Sequence, residues 1–125
     1  MQFIHTQISK DSKGHYTPAV IHNDIVYVSG QLPIDFIGGK SQPEADERAQ
    51  IEQALNNLLH VLELAGSSKE KVLKTTVYIS DIELWPLVNQ VYAEFFGNHR
   101  PARSIVPSAG LHYGSIIEIE ATAHL

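Results

Sequence analysis

The chain has 125 residues, 43% of them hydrophobic and 18% charged, the size of one domain that buries roughly two-thirds of its unfolded surface around one core. Fourteen acidic against nine basic residues leave a net charge of −5. Nucleic acid is therefore an unfavourable main partner, because no basic stripe exists to release counterions from many phosphates. The absence of cysteine excludes disulfides, zinc ribbons, iron–sulfur clusters and thiol nucleophiles. No leader-like start or bilayer-length apolar run is present, so the expectation is a single cytoplasmic domain over residues 1–125 with no membrane partner.

In chain order, "AVIHNDIVYVSGQLPID" holds two apolar runs broken by His22-Asn23-Asp24, which predicts a hairpin with a β-rich run from Ile25 to Ser29. Gly30 then predicts a bend or a close backbone approach where that strand ends, and Asp35 to Lys40 reads as a polar loop. Ser41 with Glu44 has the form of a capping box. Beyond it Ile51, Ala54, Leu55, Leu58, Leu62 and Ala65 recur at helical spacing up to Gly66, which predicts a long amphipathic helix.

"VLKTTVYISD" alternates and predicts a strand over 72–80, with Asp81 available to cap the next element. Leu84, Leu87, Val88, Val91, Tyr92, Phe95 and Phe96 predict a second helix, with Pro86 in its first turn and Gly97 at its end. A strand starts near Arg103 in "NHRPARSIV". The tail "SIIEIEATAHL" alternates, with Ile117, Ile119, Ala121 and Ala123 on one face and Ile116, Glu118, Glu120 and Thr122 on the other. The order hairpin, helix, strand, helix, strand predicts an α+β fold with a sheet covered by both helices on one face. The opposite face, carrying tyrosines and isoleucines, then needs cover, and oligomerisation is one way to supply it.

Chemistry-bearing residues are sparse. The seven histidines form neither an i, i+4 helical pair nor a His-x-His strand pair, so no metal site is expected. A nucleophile elbow and a phosphate-cradling glycine loop are also missing. There remain Arg103 and, fifteen residues on, Glu118. Two readings are open from the residues alone. A guanidinium could clamp a substrate carboxylate through two parallel hydrogen bonds while the acid handles a water or a proton; equally, the two form a salt bridge or stand as separate surface charges, which spacing by itself favours.

Taken together, "YVSGQLPID", "ALNNLLHVLELAGSSKEKVLKTTVYISD", "VNQVYAEFFGNHRPARSIV" and "IEIEATA" resemble the RidA/YjgF family of reactive-intermediate (enamine/imine) deaminases, formerly labelled L-PSP endoribonucleases. The match runs in order from about Gly14 to Ala123. The resemblance implies a chorismate-mutase-like α+β fold and a homotrimer with a barrel-like sheet centre and sites between subunits. It also implies hydrolysis of 2-imino acids and their enamine tautomers, such as 2-aminoacrylate, to 2-keto acids and ammonia, with no metal or organic cofactor.

Carried over residue by residue, Arg103 matches the arginine that grips the substrate carboxylate and Glu118 the acid that positions water. Tyr16, Ser29 and Asn89 match pocket-lining positions, each with a plainer alternative: interface packing for Tyr16, a polar helix position for Asn89, and a hydrogen bond to neighbouring backbone for Ser29. Ile105 stands where cysteine is frequent, so only its main chain could orient substrate. His15 replaces a proline, Pro18 a common glutamine, and Leu111-His112-Tyr113 the usual Leu-Pro, which puts an aromatic near the expected cleft. Two other functions stay open at this level: a non-catalytic trimer that binds small carboxylates, and an endoribonuclease, which the net charge disfavours.

Overall fold

A computed structural model describes residues 1–125. Its strands are β1 (Gln2–Ile4), β2 (Ala19–His22), β3 (Ile25–Gln31), β4 (Val72–Ile79), β5 (Ala102–Pro107) and β6 (Ile117–His124), and its helices α1 (Glu47–Leu64) and α2 (Trp85–Phe96). The six strands form one mixed sheet in the order β1-β2-β3-β6-β4-β5. All pairings are antiparallel except β4 with β5, which α2 connects in parallel. Neither helix is long and apolar enough to cross a membrane.

The predicted hairpin is β2–β3. Asn23 and Asp24 both take positive φ, 51° and 63°, the conformation a tight two-residue hairpin turn requires and one that Asn and Asp tolerate well. In α1 the six residues read at helical spacing, from Ile51 to Ala65, are all buried, and the chain leaves at Gly66 with φ of 84°, where a side chain would be strained.

The start of α1 corrects the capping-box reading. Asp46, not Ser41, is the N-cap, its carboxylate accepting from the Ala49 N–H at 2.7 Å; Ser41 instead pairs with Ile34 to close the loop. Asp81 caps as expected, accepting from the Glu83 N–H, but the turn it starts is 3-10, and α2 begins at Trp85 with Pro86 in its first turn. β1, which the sequence did not suggest, pairs with β2 at the sheet edge.

One sheet face meets both helices. Val26 and Val28, Thr75, Val77 and Ile79, and Ile117, Ile119, Ala121 and Ala123 are buried there with Leu55, Leu58, Leu62, Val88 and Phe96. At about 25 cal/mol per Å² of apolar surface removed from water, this layer supplies the main stabilisation. Glu118, Glu120 and Thr122 point to the opposite face together with Tyr27, Tyr78 and Val106. Tyr27 is 51% exposed there, although its apolar ring would ordinarily be covered. Ile116, which strict alternation would add to that face, precedes the strand and packs partly buried against the core.

Candidate functional site

The sheet separates Arg103 from Glu118. Arg103 lies opposite Thr75 across the β4–β5 ladder, and Thr75 is a buried residue of the helix-covered face. Glu118 lies opposite Tyr78 across the β4–β6 ladder. Thr75 and Tyr78 are three apart on one strand and so point to opposite faces. In one copy of the chain, the guanidinium and the carboxylate therefore leave the sheet in opposite directions and do not meet. The direct salt bridge that spacing allowed is not formed.

The first cluster surrounds Arg103. Its Nη1 donates to Oδ1 of Asn89 at 3.0 Å, and its Cζ lies 4.8 Å from the ring centre of Tyr92 and 5.7 Å from that of Trp85. Tyr92 is itself fixed by a 2.9 Å hydrogen bond between its hydroxyl and that of Thr75. Burial pushes the Tyr92 phenol above its ordinary pKa, against opposing effects of the Thr75 bond and the nearby Arg103 charge. Both ion pairs in the chain belong to Arg48, so none of the five N–H donors of the partly buried Arg103 is paired with a carboxylate. Ile105 is on the same strand face, partly buried against the core opposite Val77. Because β5 closes the sheet edge, its backbone has a ladder partner on one side only. Arg100, just ahead of the strand, is exposed.

Trp85, Asn89 and Tyr92 stand at i, i+4 and i+7 and share one face of α2. Only Asn89 and Tyr92 stood out in the sequence, Tyr92 as core. The signal that would have found Trp85 is this stripe, an aromatic, an amide and an aromatic aimed at the arginine strand.

The second cluster surrounds Glu118. The pairing of β3 with β6 shifts register between Val28 and Gln31, and at this irregularity Gly30 lets the Glu118 side chain approach the backbone: a Cβ there would stand 2.9 Å from Cδ of Glu118. This is the close approach that a glycine at the strand end predicts. Burial raises the Glu118 pKa; the charge of His112 works against the shift and that of Glu120 adds to it. Glu120 is engaged by the Tyr78 hydroxyl, which donates to it at 2.8 Å.

Beside Gly30 opens a cavity of about 820 Å³. Tyr16, His112 and Tyr113 line its rim, and His60, stacked on Phe36 at 4.6 Å, lines its floor. Buried Asn57, donating to the carbonyls of Leu32 and Ile34, holds the wall; neither Asn57 nor His60 stood out in the sequence. Tyr16 is 60% exposed. The Ser29 hydroxyl donates to the Thr17 carbonyl at 2.6 Å, the plainer backbone role, and retains its lone pairs for another donor. Tyr113 is held at φ of 61° in the turn that begins at His112, which sets an aromatic at the cavity mouth, where the family pattern would put none.

No three His, Asp or Glu side chains converge to hold a metal ion. The two clusters offer anion binding on the helix-covered face and a carboxyl group with a raised pKa on the opposite one, while the cavity, which Asn57, His60 and Val61 of α1 help to line, opens on the α1 side of Gly30.

The family model described as Endoribonuclease L-PSP matches residues 6–125. The chain is 40% identical to the 2-iminobutanoate/2-iminopropanoate deaminase of Rattus norvegicus over 110 residues, covering 88% of this chain and 80% of that one. It is 37% identical to the 3-aminoacrylate deaminase RutC of Acinetobacter baylyi, covering 88% and 86%. Among solved structures, E. coli TdcF with bound serine superposes with a TM-score of 0.90 at 33% identity, covering 100% and 99%. The chain belongs to the Endoribonuclease L-PSP family, the RidA/YjgF family.

Proposed function

We propose that this protein hydrolyses 2-imino acids and their enamine tautomers to 2-keto acids and ammonia, in a cytoplasmic homotrimer whose sites combine Arg103, Asn89 and Ile105 of one copy with Glu118, Ser29 and Tyr16 of the next. The observation that carries it is the separation of Arg103 and Glu118 onto opposite sheet faces. Each half lacks what the other supplies, and a head-to-tail arrangement that closes into a ring brings unlike surfaces together once per copy. The half-covered tyrosines of the open face give such an assembly apolar surface to bury. The deaminase names of relatives at 37 to 40% identity support the reaction class.

The chemistry follows from the two halves. Two guanidinium N–H groups of Arg103 bind the substrate carboxylate in parallel, and the Ile105 main chain orients the imine. Glu118 takes a proton from water as its oxygen bonds to the iminium carbon, giving a carbinolamine. The protonated Glu118 passes that proton to the amine nitrogen. The C–N bond then breaks to release ammonia, the hydroxyl proton passes to Glu118 as the keto group forms, and Glu118 hands that proton to the ammonia, which leaves as ammonium and returns the carboxylate to its starting state. A carboxyl whose pKa is raised by burial is suited to both directions of transfer, and such general acid–base help contributes about 10²- to 10⁴-fold. Endoribonuclease action fits less well, since a net charge of −5 opposes phosphate binding.

The test couples the protein to an amino-acid oxidase and follows imine decay as semicarbazone formation. Faster imine loss with wild-type protein, abolished in Arg103→Ala and mostly lost in Arg103→Lys, is the expected result. Imine decay at the buffer rate with the wild-type protein contradicts the proposal.

A further inference from the structure

We propose that Trp85 is a positioning residue that presets the Arg103 guanidinium for an incoming carboxylate, and that its indole emission reports occupancy of that group. The inference rests on reading Arg103 as the carboxylate receptor. A free arginine side chain samples many rotamers, and fixing it on ligand binding costs affinity. In this chain the fixing is done in advance. The guanidinium has the faces of Tyr92 and Trp85 within 4.8 and 5.7 Å of its Cζ, and Asn89 accepts from Nη1 at 3.0 Å.

The three supports are not equivalent. Tyr92 is buried and tied to Thr75, so it acts as a fixed floor. Asn89 engages one nitrogen and sets rotation about the guanidinium plane. Trp85, in the first turn of α2 and 41% exposed, is the aromatic support that faces solvent. Attraction between a guanidinium and an indole face is stronger than for the other aromatic rings, and planar stacking leaves the edge N–H groups free for two parallel bonds to a carboxylate. Losing that support frees the side chain and weakens carboxylate binding by roughly 2- to 30-fold, the range of such contacts between exposed and desolvated sites.

Trp85 is the single tryptophan of the chain, so its fluorescence is a local probe. Pyruvate, a 2-keto acid, is titrated into the full-length protein, with affinity measured by calorimetry and indole emission recorded in parallel. Emission is expected to change saturably in the wild type and in Glu118→Gln, and to stay flat in Arg103→Ala. Trp85→Leu is expected to lose affinity within the range above, and Trp85→Phe, which restores an aromatic face, to recover most of it. In turnover the Trp85→Leu defect falls on KM more than on kcat, unlike that of a variant damaged throughout.

Wild-type pyruvate affinity in Trp85→Leu, or equal losses in Trp85→Leu and Trp85→Phe, overturns the proposal. Absence of any emission change when pyruvate saturates the wild type does so as well, without needing a variant. Pyruvate binding that depends on Trp85 in a protein that leaves imine decay unchanged would retain this inference and remove the deaminase reading.

Discussion

Replacing Gly30 by alanine moves the proposed acid without replacing it. The new Cβ would stand 2.9 Å from Cδ and 3.2 Å from Cγ of Glu118, and closer still to Oε1, whereas ordinary contact begins at 3.4 Å. The carboxyl carbon must therefore withdraw by about 0.5 Å and its oxygen by roughly 1 Å. A displacement of that size misaligns the attacking water, and about 1 Å of misplacement costs about 10²-fold. The expected drop in kcat/KM is thus roughly 10- to 100-fold, or about 1.4 to 2.7 kcal/mol of transition-state stabilisation. Stability should change little, because the obstructing atoms end a flexible side chain and Gly30 is not among the residues with positive φ; alanine also narrows the unfolded ensemble. The assay is the oxidase-coupled imine decay, with thermal melting and pyruvate binding as controls. A folded Gly30→Ala protein with wild-type kcat/KM would refute the placement of the reacting water beside Glu118.

Three further outcomes are expected. Leu58→Ala removes a fully buried α1 side chain and should cost about 2 to 5 kcal/mol in urea unfolding, with the slope unchanged. Asp46→Ala should cost about 1 kcal/mol through loss of the cap, whereas Ser41→Ala should stay within about 0.5 kcal/mol in the same melts. Glu118→Gln should raise the melting temperature at neutral pH. The folded carboxyl has its pKa above the unfolded value, so its ionisation penalises the native state above the folded value and not below the unfolded one. Melting curves of the two proteins should accordingly converge as the pH falls through that window, and equal melting temperatures at pH 7 would contradict the burial assigned to Glu118.

Local features were the most legible in the sequence. The hairpin turn at Asn23-Asp24, the buried stripe of α1, its Gly66 stop and the alternation of β6 each depend on neighbours a few residues apart, where side-chain periodicity and turn chemistry dominate. Gly30 was legible as a close approach, though the group that approaches it, Glu118, is 88 residues away and fixed only by the β3–β6 register. Ser41–Glu44 misled because a capping box is read from two residue types and their spacing, while Asp46 sits where the chain turns into the helix. β1 is three residues long and only Ile4 of it is buried, too little pattern to register.

The placing of Arg103 and Glu118 on opposite sheet faces was the least legible part. Arg103 and Glu118 were matched by family pattern, but their faces depend on how β5 and β6 align along opposite edges of β4, which no local spacing encodes. The same is true of Trp85, whose place beside Arg103 appears only when α2 is laid against β5. The i, i+4, i+7 stripe was present in the sequence; the arginine it faces was supplied by the tertiary fold.

Subunit complementation tests the central claim most directly, because it asks whether the two halves of the site act together from different copies of the chain. Arg103→Ala and Glu118→Gln should each be inactive alone. When the two are co-expressed and assemble at random, about a quarter of composite sites receive an intact arginine from one copy and an intact glutamate from its neighbour. The predicted result is imine deaminase activity near that fraction of the wild-type value. Mixed assemblies that form but remain as inactive as either parent would contradict it.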